Sequence, residues 1–144
     1  MKRILFFLIF FSIFKTEAQH FYYGYPADYN TIGCGDELVV NIPIHREGRF
    51  LPNQGIERLI ELLNISEDFI FIIEIYDFQA SSNLVYAYTD FLCDNLIYYL
   101  DSKCTYNNYY IYSCGNSKNL FCTSDLKIFN LMNTRLEIKI KCQE

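Results

Sequence analysis

Hydrophobic residues recur at every second position in some segments of the chain and at every third or fourth position in others. This pattern predicts strands that alternate with helices. Residues 37–44 alternate and predict a first strand, and Pro43 indicates that this strand ends there or lies at a sheet edge. Residues 53–63 repeat with helical spacing. Residues 69–75 are almost continuously apolar, which is typical of a strand buried on both faces.

The second half of the chain continues the same alternation. Its pattern predicts a long helix from Val85 to about Leu100, a strand over 109–113, a short helix over 125–131 and a final strand over 135–141. Strand–helix–strand–helix–strand–(helix)–strand is the resulting order. It predicts an α/β (α+β) two-layer sandwich with a mixed four-stranded sheet.

The N-terminus has the pattern of a secretory signal peptide. Lys2 and Arg3 precede an eleven-residue apolar segment, 4–14, and small residues around Ala18 suit a signal peptidase. Cleavage is expected after Ala18 or Gln19, and a retained membrane anchor is the alternative, although the apolar segment is short for a span. We therefore divide the chain into a signal peptide (1–18), an irregular Tyr-rich arm (19–36) and one folded domain (37–142). The tyrosines of the arm are either a binding segment or ordinary packing residues.

The charge distribution argues against several classes of partner. Removing Lys2, Arg3, Lys15 and Glu17 from 12 basic and 17 acidic residues leaves 9 and 16, a net charge of −7. Residues 59–102 contain eight carboxylates and neither Lys nor Arg. An acidic chain without a basic patch is a poor candidate for binding nucleic acid. No segment after the signal peptide is long and apolar enough to predict a transmembrane span.

Six cysteines follow the predicted signal peptide, and an even number in an exported chain favours disulfides. Cys114 and Cys122 flank a short loop, and Cys34 and Cys142 flank the predicted sheet, so these are the two pairings we expect. Cys93 and Cys104 are the remaining disulfide candidates. No Cys-x-x-Cys occurs, which leaves a zinc site without support and predicts no cofactor. No nucleophile motif is present, so we expect a protein that is not an enzyme, with a small hydrolase as a remote alternative.

Four motifs resemble the OmpA-like peptidoglycan-binding domain of bacterial envelope proteins. Leu51-Pro52 precedes the first helix, as the family's Leu-x-Pro does, and Tyr76-Asp77 follows the apolar strand where the family has Thr-Asp. Residues 96–100 match the family's helix end, V-x-x-Y-L, and residues 133–138 resemble its final strand, N-R-R-V-E-I. The resemblance covers residues 37–141 in the family's order and spacing.

This resemblance implies capture of the diaminopimelate side chain of cell-wall stem peptides. In the family an Asp accepts the ammonium group of that side chain and an Arg binds its carboxylate in a bidentate manner. Asp77 matches the Asp, but Leu92 stands at the Arg position and Val85 at that of an intervening Asn. Losing the partner of a buried charge typically costs about 2–5 kcal/mol in binding.

Arg135 is the residue that we expect to compensate if the last strand lies beside Asp77. The alternative is that Asp77 only caps the following helix or pairs with Arg135 structurally. We therefore expect an envelope protein of the periplasm, or of the periplasmic face of the outer membrane, with weak or altered peptidoglycan association. An adaptor or structural subunit of an outer-membrane-associated complex, which has lost peptidoglycan binding, is the second hypothesis. Its partner would be another envelope protein.

Overall fold

A computed structural model describes residues 19–41, 54–78 and 84–143. The predicted signal peptide (1–18), Pro43 and the Leu51-Pro52 motif lie outside these ranges. Ile42 and Ile44 of the predicted first strand lie outside them as well.

The described residues form one mixed sheet of five strands. The strands are β1 (Phe21–Tyr23), β2 (Glu37–Val40), β3 (Phe69–Tyr76), β4 (Tyr109–Gly115) and β5 (Arg135–Cys142), and their spatial order is β1-β2-β5-β3-β4. β5 runs antiparallel to both β2 and β3, whereas the β1–β2 and β3–β4 pairs are parallel. The predicted two-layer α/β class with a mixed sheet is confirmed.

The predicted arm contributes the additional strand, so the expectations of an irregular arm and a four-stranded sheet are corrected here. Phe21–Tyr23 are aromatic residues, which favour strand conformation. The backbone N–H of Glu37 donates to the His20 carbonyl at 2.9 Å, and that of Gly24 donates to Val39 at 2.8 Å. These two bonds hold β1 against β2.

Three α-helices complete the described fold: α1 (Gln54–Leu63), α2 (Val85–Asp101) and α3 (Leu126–Asn133). α1 and α2 pack on one face of the sheet and enclose the core, in which Leu59, Leu96 and Ile138 are fully buried. On α2, Tyr88 is exposed, whereas Thr89 is buried; the Thr89 hydroxyl donates to the Val85 carbonyl and accepts from the Ser113 hydroxyl. No helix in the described ranges has the length and apolar character needed to cross a membrane.

One disulfide joins the start of the domain to its end. Cys34 bonds Cys142 with a Cα–Cα distance of 5.4 Å, which is the pairing expected from their positions. The adjacent backbone is also paired, since the Gly35 N–H donates to Ile140 at 2.8 Å.

The expected Cys114–Cys122 bond is absent, and both are free thiols, as are Cys93 and Cys104. Cys114 lies within β4, whereas Cys122 lies in an exposed loop beside Asn119, and the loop between them does not bring their sulfur atoms together.

Candidate functional site

Asp77 lies directly after β3, at the end of the sheet from which the chain continues toward α2. Its side chain is buried, with 5% of the residue exposed. Its backbone N–H donates to the Gly115 carbonyl at 2.8 Å, and the next N–H, of Phe78, donates to Thr134 Oγ1 at 3.0 Å. Gly115 has a φ of 55°, a conformation that favours glycine. The ends of β4 and β5 therefore fix the backbone around Asp77.

Leu92 and Val85 are buried core residues. Leu92 is 1% exposed and Val85 is 2% exposed, and both project from α2 into the core. The two positions at which the family resemblance would place Arg and Asn are therefore apolar here. Neither side chain offers a hydrogen bond to a ligand at Asp77.

Arg135 begins β5, and its Cα is paired with that of Tyr76, the residue before Asp77. Its guanidinium lies over the Tyr76 ring, with Cζ 4.2 Å from the ring centroid. The side chain is fully buried, and its ion pair is with Glu137, where Nε lies 2.9 Å from Oε1. Nη1 donates to the carbonyl of Asn133 at 2.8 Å and Nη2 to that of Lys118 at 3.1 Å.

Glu137 thus balances the charge of Arg135 inside the protein. Burial by itself would raise the pKa of Glu137, but hydrogen bonds from Arg135 and Lys118 outweigh burial and lower that pKa below its ordinary value. Lys118 Nζ lies 3.0 Å from Oε2 of Glu137. The Arg135 guanidinium is therefore committed to an internal charge pair, and this partner reduces its capacity to bind a ligand carboxylate.

A second charge pair lies farther along the same face of the sheet. Lys139 Nζ is 3.0 Å from Glu74 Oε2, and the Tyr76 hydroxyl also donates to Glu74 Oε2, at 3.2 Å. The hydrogen bond to Glu74 raises the pKa of Lys139. The sequence reasoning missed Glu74 and Glu137 as partners, although the alternation of β5 places Arg135, Glu137 and Lys139 on one face.

A second kind of candidate site would consist of groups that act as a nucleophile and base or that hold a metal ion. Within the described residues, the His20 ring has the buried Asp36 carboxylate as its partner, with Nδ1 3.3 Å from Oδ1. His45 lies outside them. Within the same ranges, no three His, Cys, Asp or Glu side chains are grouped closely enough to hold a metal ion.

Comparison with solved structures finds this fold in periplasmic domains of MotB. A MotB periplasmic domain aligns with a TM-score of 0.56 and 13% identity, over 75% of this chain and 62% of that one. A putative MotB-like protein from Desulfovibrio vulgaris aligns with a TM-score of 0.57 and 14% identity, over 75% of this chain and 74% of that one. The Helicobacter pylori MotB periplasmic domain aligns with a TM-score of 0.54 and 15% identity, over 75% of each chain. The chain thus spans under two thirds of the first of these structures.

No family model matches the chain, and no curated protein matches it in sequence. At identities of 13–15% the similarity shows the fold alone. The chain is therefore similar in fold to MotB periplasmic domains.

Proposed function

We propose that the chain is a non-enzymatic, exported envelope protein that associates weakly, or in an altered manner, with peptidoglycan. Asp77 is the residue that would accept the ammonium group of a diaminopimelate stem peptide. The observation that supports this proposal is a buried carboxylate at the end of β3, with a backbone fixed by Gly115 and Thr134. The fold shared with MotB periplasmic domains agrees with a place in the periplasm or on the periplasmic face of the outer membrane.

The weakness of the association follows from the missing cation. Leu92 and Val85 offer no polar group, and Arg135 is held by Glu137. A carboxylate that binds without its bidentate partner loses about 2–5 kcal/mol, which is about 30-fold to several thousand-fold in affinity. Arg135 would then support the backbone around Tyr76 and Asp77 and would act on the ligand through its neighbours.

The second candidate is an adaptor subunit that has kept the fold and lost peptidoglycan binding. The internal pairing of Arg135 favours it, because the remaining cation of the site is already neutralised. Large exposed side chains on α2 also favour a protein partner: Tyr86, Tyr88, Phe91 and Tyr98.

Cosedimentation with purified sacculi separates the two candidates. The first predicts that the wild-type protein sediments with sacculi, and that Asp77→Asn lowers the bound fraction at equal protein concentration. Glu57→Gln is the matched control, since it removes one exposed carboxylate from α1 and leaves the site intact. Circular dichroism of each variant verifies folding.

Equal binding of the wild type and Asp77→Asn would reject Asp77 as the contact. An absence of wild-type binding would reject peptidoglycan association and leave the adaptor function.

A further inference from the structure

β4 forms one edge of the described sheet. Its seven residues, Tyr109–Gly115, pair with β3 alone, at the end of the strand order. The Phe71 N–H donates to the Asn108 carbonyl at 2.9 Å. This bond determines which residues of β4 direct their backbone N–H and C=O groups toward β3, because these groups alternate along a strand. The backbone groups of Tyr109, Ile111 and Ser113 therefore point away from β3.

Within the described residues, this edge lacks the sequence features that usually protect against a further strand. Proline and charged side chains normally block pairing at an edge, and residues 109–115 contain neither. On the face opposite α1 and α2, Tyr110 is 57% exposed and Tyr112 is 51% exposed. The opposite edge differs, because β1 is only three residues long.

A cleft of about 380 Å³ runs along the β4 edge. Its lining comprises Ile97 and Asp101 of α2, Asn107 and residues 109–112. The cleft therefore places the outer backbone of β4 beside the C-terminal half of α2. The Tyr109 hydroxyl donates to Asp101 Oδ1 and fixes this carboxylate at the cleft.

The charge of α2 determines which partner suits this cleft. Asp90, Asp94, Ile97 and Asp101 follow one another at spacings of four, three and four residues, so they form a single stripe along the helix. All three aspartates are exposed, and residues 59–102 contain neither Lys nor Arg. A second copy of the chain at this edge would bring a second acidic stripe against the first. A basic partner would instead be attracted.

We propose that the β4 edge binds an extended basic segment of a partner protein as a sixth strand of the sheet. Successive side chains of a strand point to opposite faces. One set of partner side chains would be Lys or Arg and would face the stripe of Asp94 and Asp101. The other set would be apolar and would contact Tyr110 and Tyr112. The segment therefore has alternating basic and apolar residues, and main-chain hydrogen bonds to Ile111 hold it in register.

This interaction is independent of the proposed peptidoglycan contact, because Asp77 does not line the cleft. Asp77→Asn should leave peptide binding unchanged, and a variant of the β4 edge should leave sacculus binding unchanged. Failure of one proposal therefore does not resemble failure of the other.

The test uses the purified protein and a fluorescent, end-capped peptide of four Lys-Val repeats, with binding followed by anisotropy. Ile111→Pro removes the outward N–H and should weaken binding about 10-fold or more, as expected for the loss of strand pairing. Tyr23→Pro is the matched control, since it places proline at the outer side of the opposite edge. Asp94→Asn should weaken binding about 2- to 5-fold, and added salt should reduce that difference.

Modified peptides keep the test decisive if Ile111→Pro fails to fold. The geometry predicts that N-methylation of one alternating residue set abolishes binding to the wild type, while N-methylation of the other set is tolerated. Equal binding of the two methylated peptides would overturn the proposal. Equal binding of a Glu-Val repeat, or no binding of the Lys-Val repeat, would also overturn it.

Discussion

Arg135 and Glu137 lie two residues apart on β5 and form a buried ion pair on the sheet face opposite α1 and α2. Nε of Arg135 is 2.9 Å from Oε1 of Glu137, and the two side chains are 0% and 8% exposed. This pair places a positive charge within one residue of Asp77 along the β3–β5 register, and it also neutralises that charge. Under the proposed function, this relationship accounts for weak binding at Asp77, although an arginine lies beside it.

Removing the carboxylate of this pair should destabilise the protein strongly. Glu137→Ala leaves Arg135 buried without a counter-charge, and breaking a buried pair typically costs about 3–5 kcal/mol. Urea unfolding followed by circular dichroism measures the free energy of unfolding. Lys118→Ala is the matched control, because this partner of Glu137 is 53% exposed, and it should cost under about 1 kcal/mol. A cost for Glu137→Ala as small as that of the control would refute the structural role of the pair.

The lowered pKa of Glu137 predicts acid destabilisation. A carboxylate whose pKa is lower in the folded than in the unfolded state stabilises the fold fully above the unfolded value of 4.5. That stabilisation is lost as the pH falls through the folded pKa. Unfolding free energies measured from pH 6 to pH 2.5 should fall more steeply in the wild type than in Glu137→Gln. Parallel curves would contradict the assignment.

The Cys34–Cys142 disulfide should contribute a large share of the stability. It closes a loop across 108 residues, and the chain-entropy model gives about 4–5 kcal/mol for a loop of this size. Cys34→Ser should lower the free energy of unfolding, measured in urea, by about this amount. Cys122→Ser, at an exposed free thiol, should leave that free energy nearly unchanged. Thiol titration of the denatured, unreduced protein should find four thiols. A count of two would indicate a second disulfide.

The sequence predicted the class of fold because its core strands and helices carry strong periodic patterns. The apolar run of β3 and the alternating β5 are correctly placed, with boundaries within one or two residues. β1 was missed because three aromatic residues in a Gly- and Tyr-rich segment carry no alternation long enough to predict a strand. Its conformation depends on pairing with β2, which a local pattern does not show.

The candidate site was predictable in its residues and not in its pairings. Leu92 and Val85 could be identified as apolar from the alignment of motifs alone. The partner of Arg135 could not be identified from the sequence, because a prediction at the level of strands places both Asp77 and Glu137 near the start of β5. The packing of the side chains determines the partner, and in the structure Arg135 forms its ion pair with Glu137.

A titration of the ¹⁵N-labelled protein with a diaminopimelate-containing stem tripeptide, followed by amide chemical shifts, tests the central proposal most directly. Binding at Asp77 predicts weak, saturable shifts at residues 76–78, at Gly115 and at Thr134, which surround Asp77 in the structure. Asp77→Asn should abolish these shifts, and Glu57→Gln should retain them. Shifts centred elsewhere, or unchanged shifts in Asp77→Asn, would contradict the proposed role of Asp77.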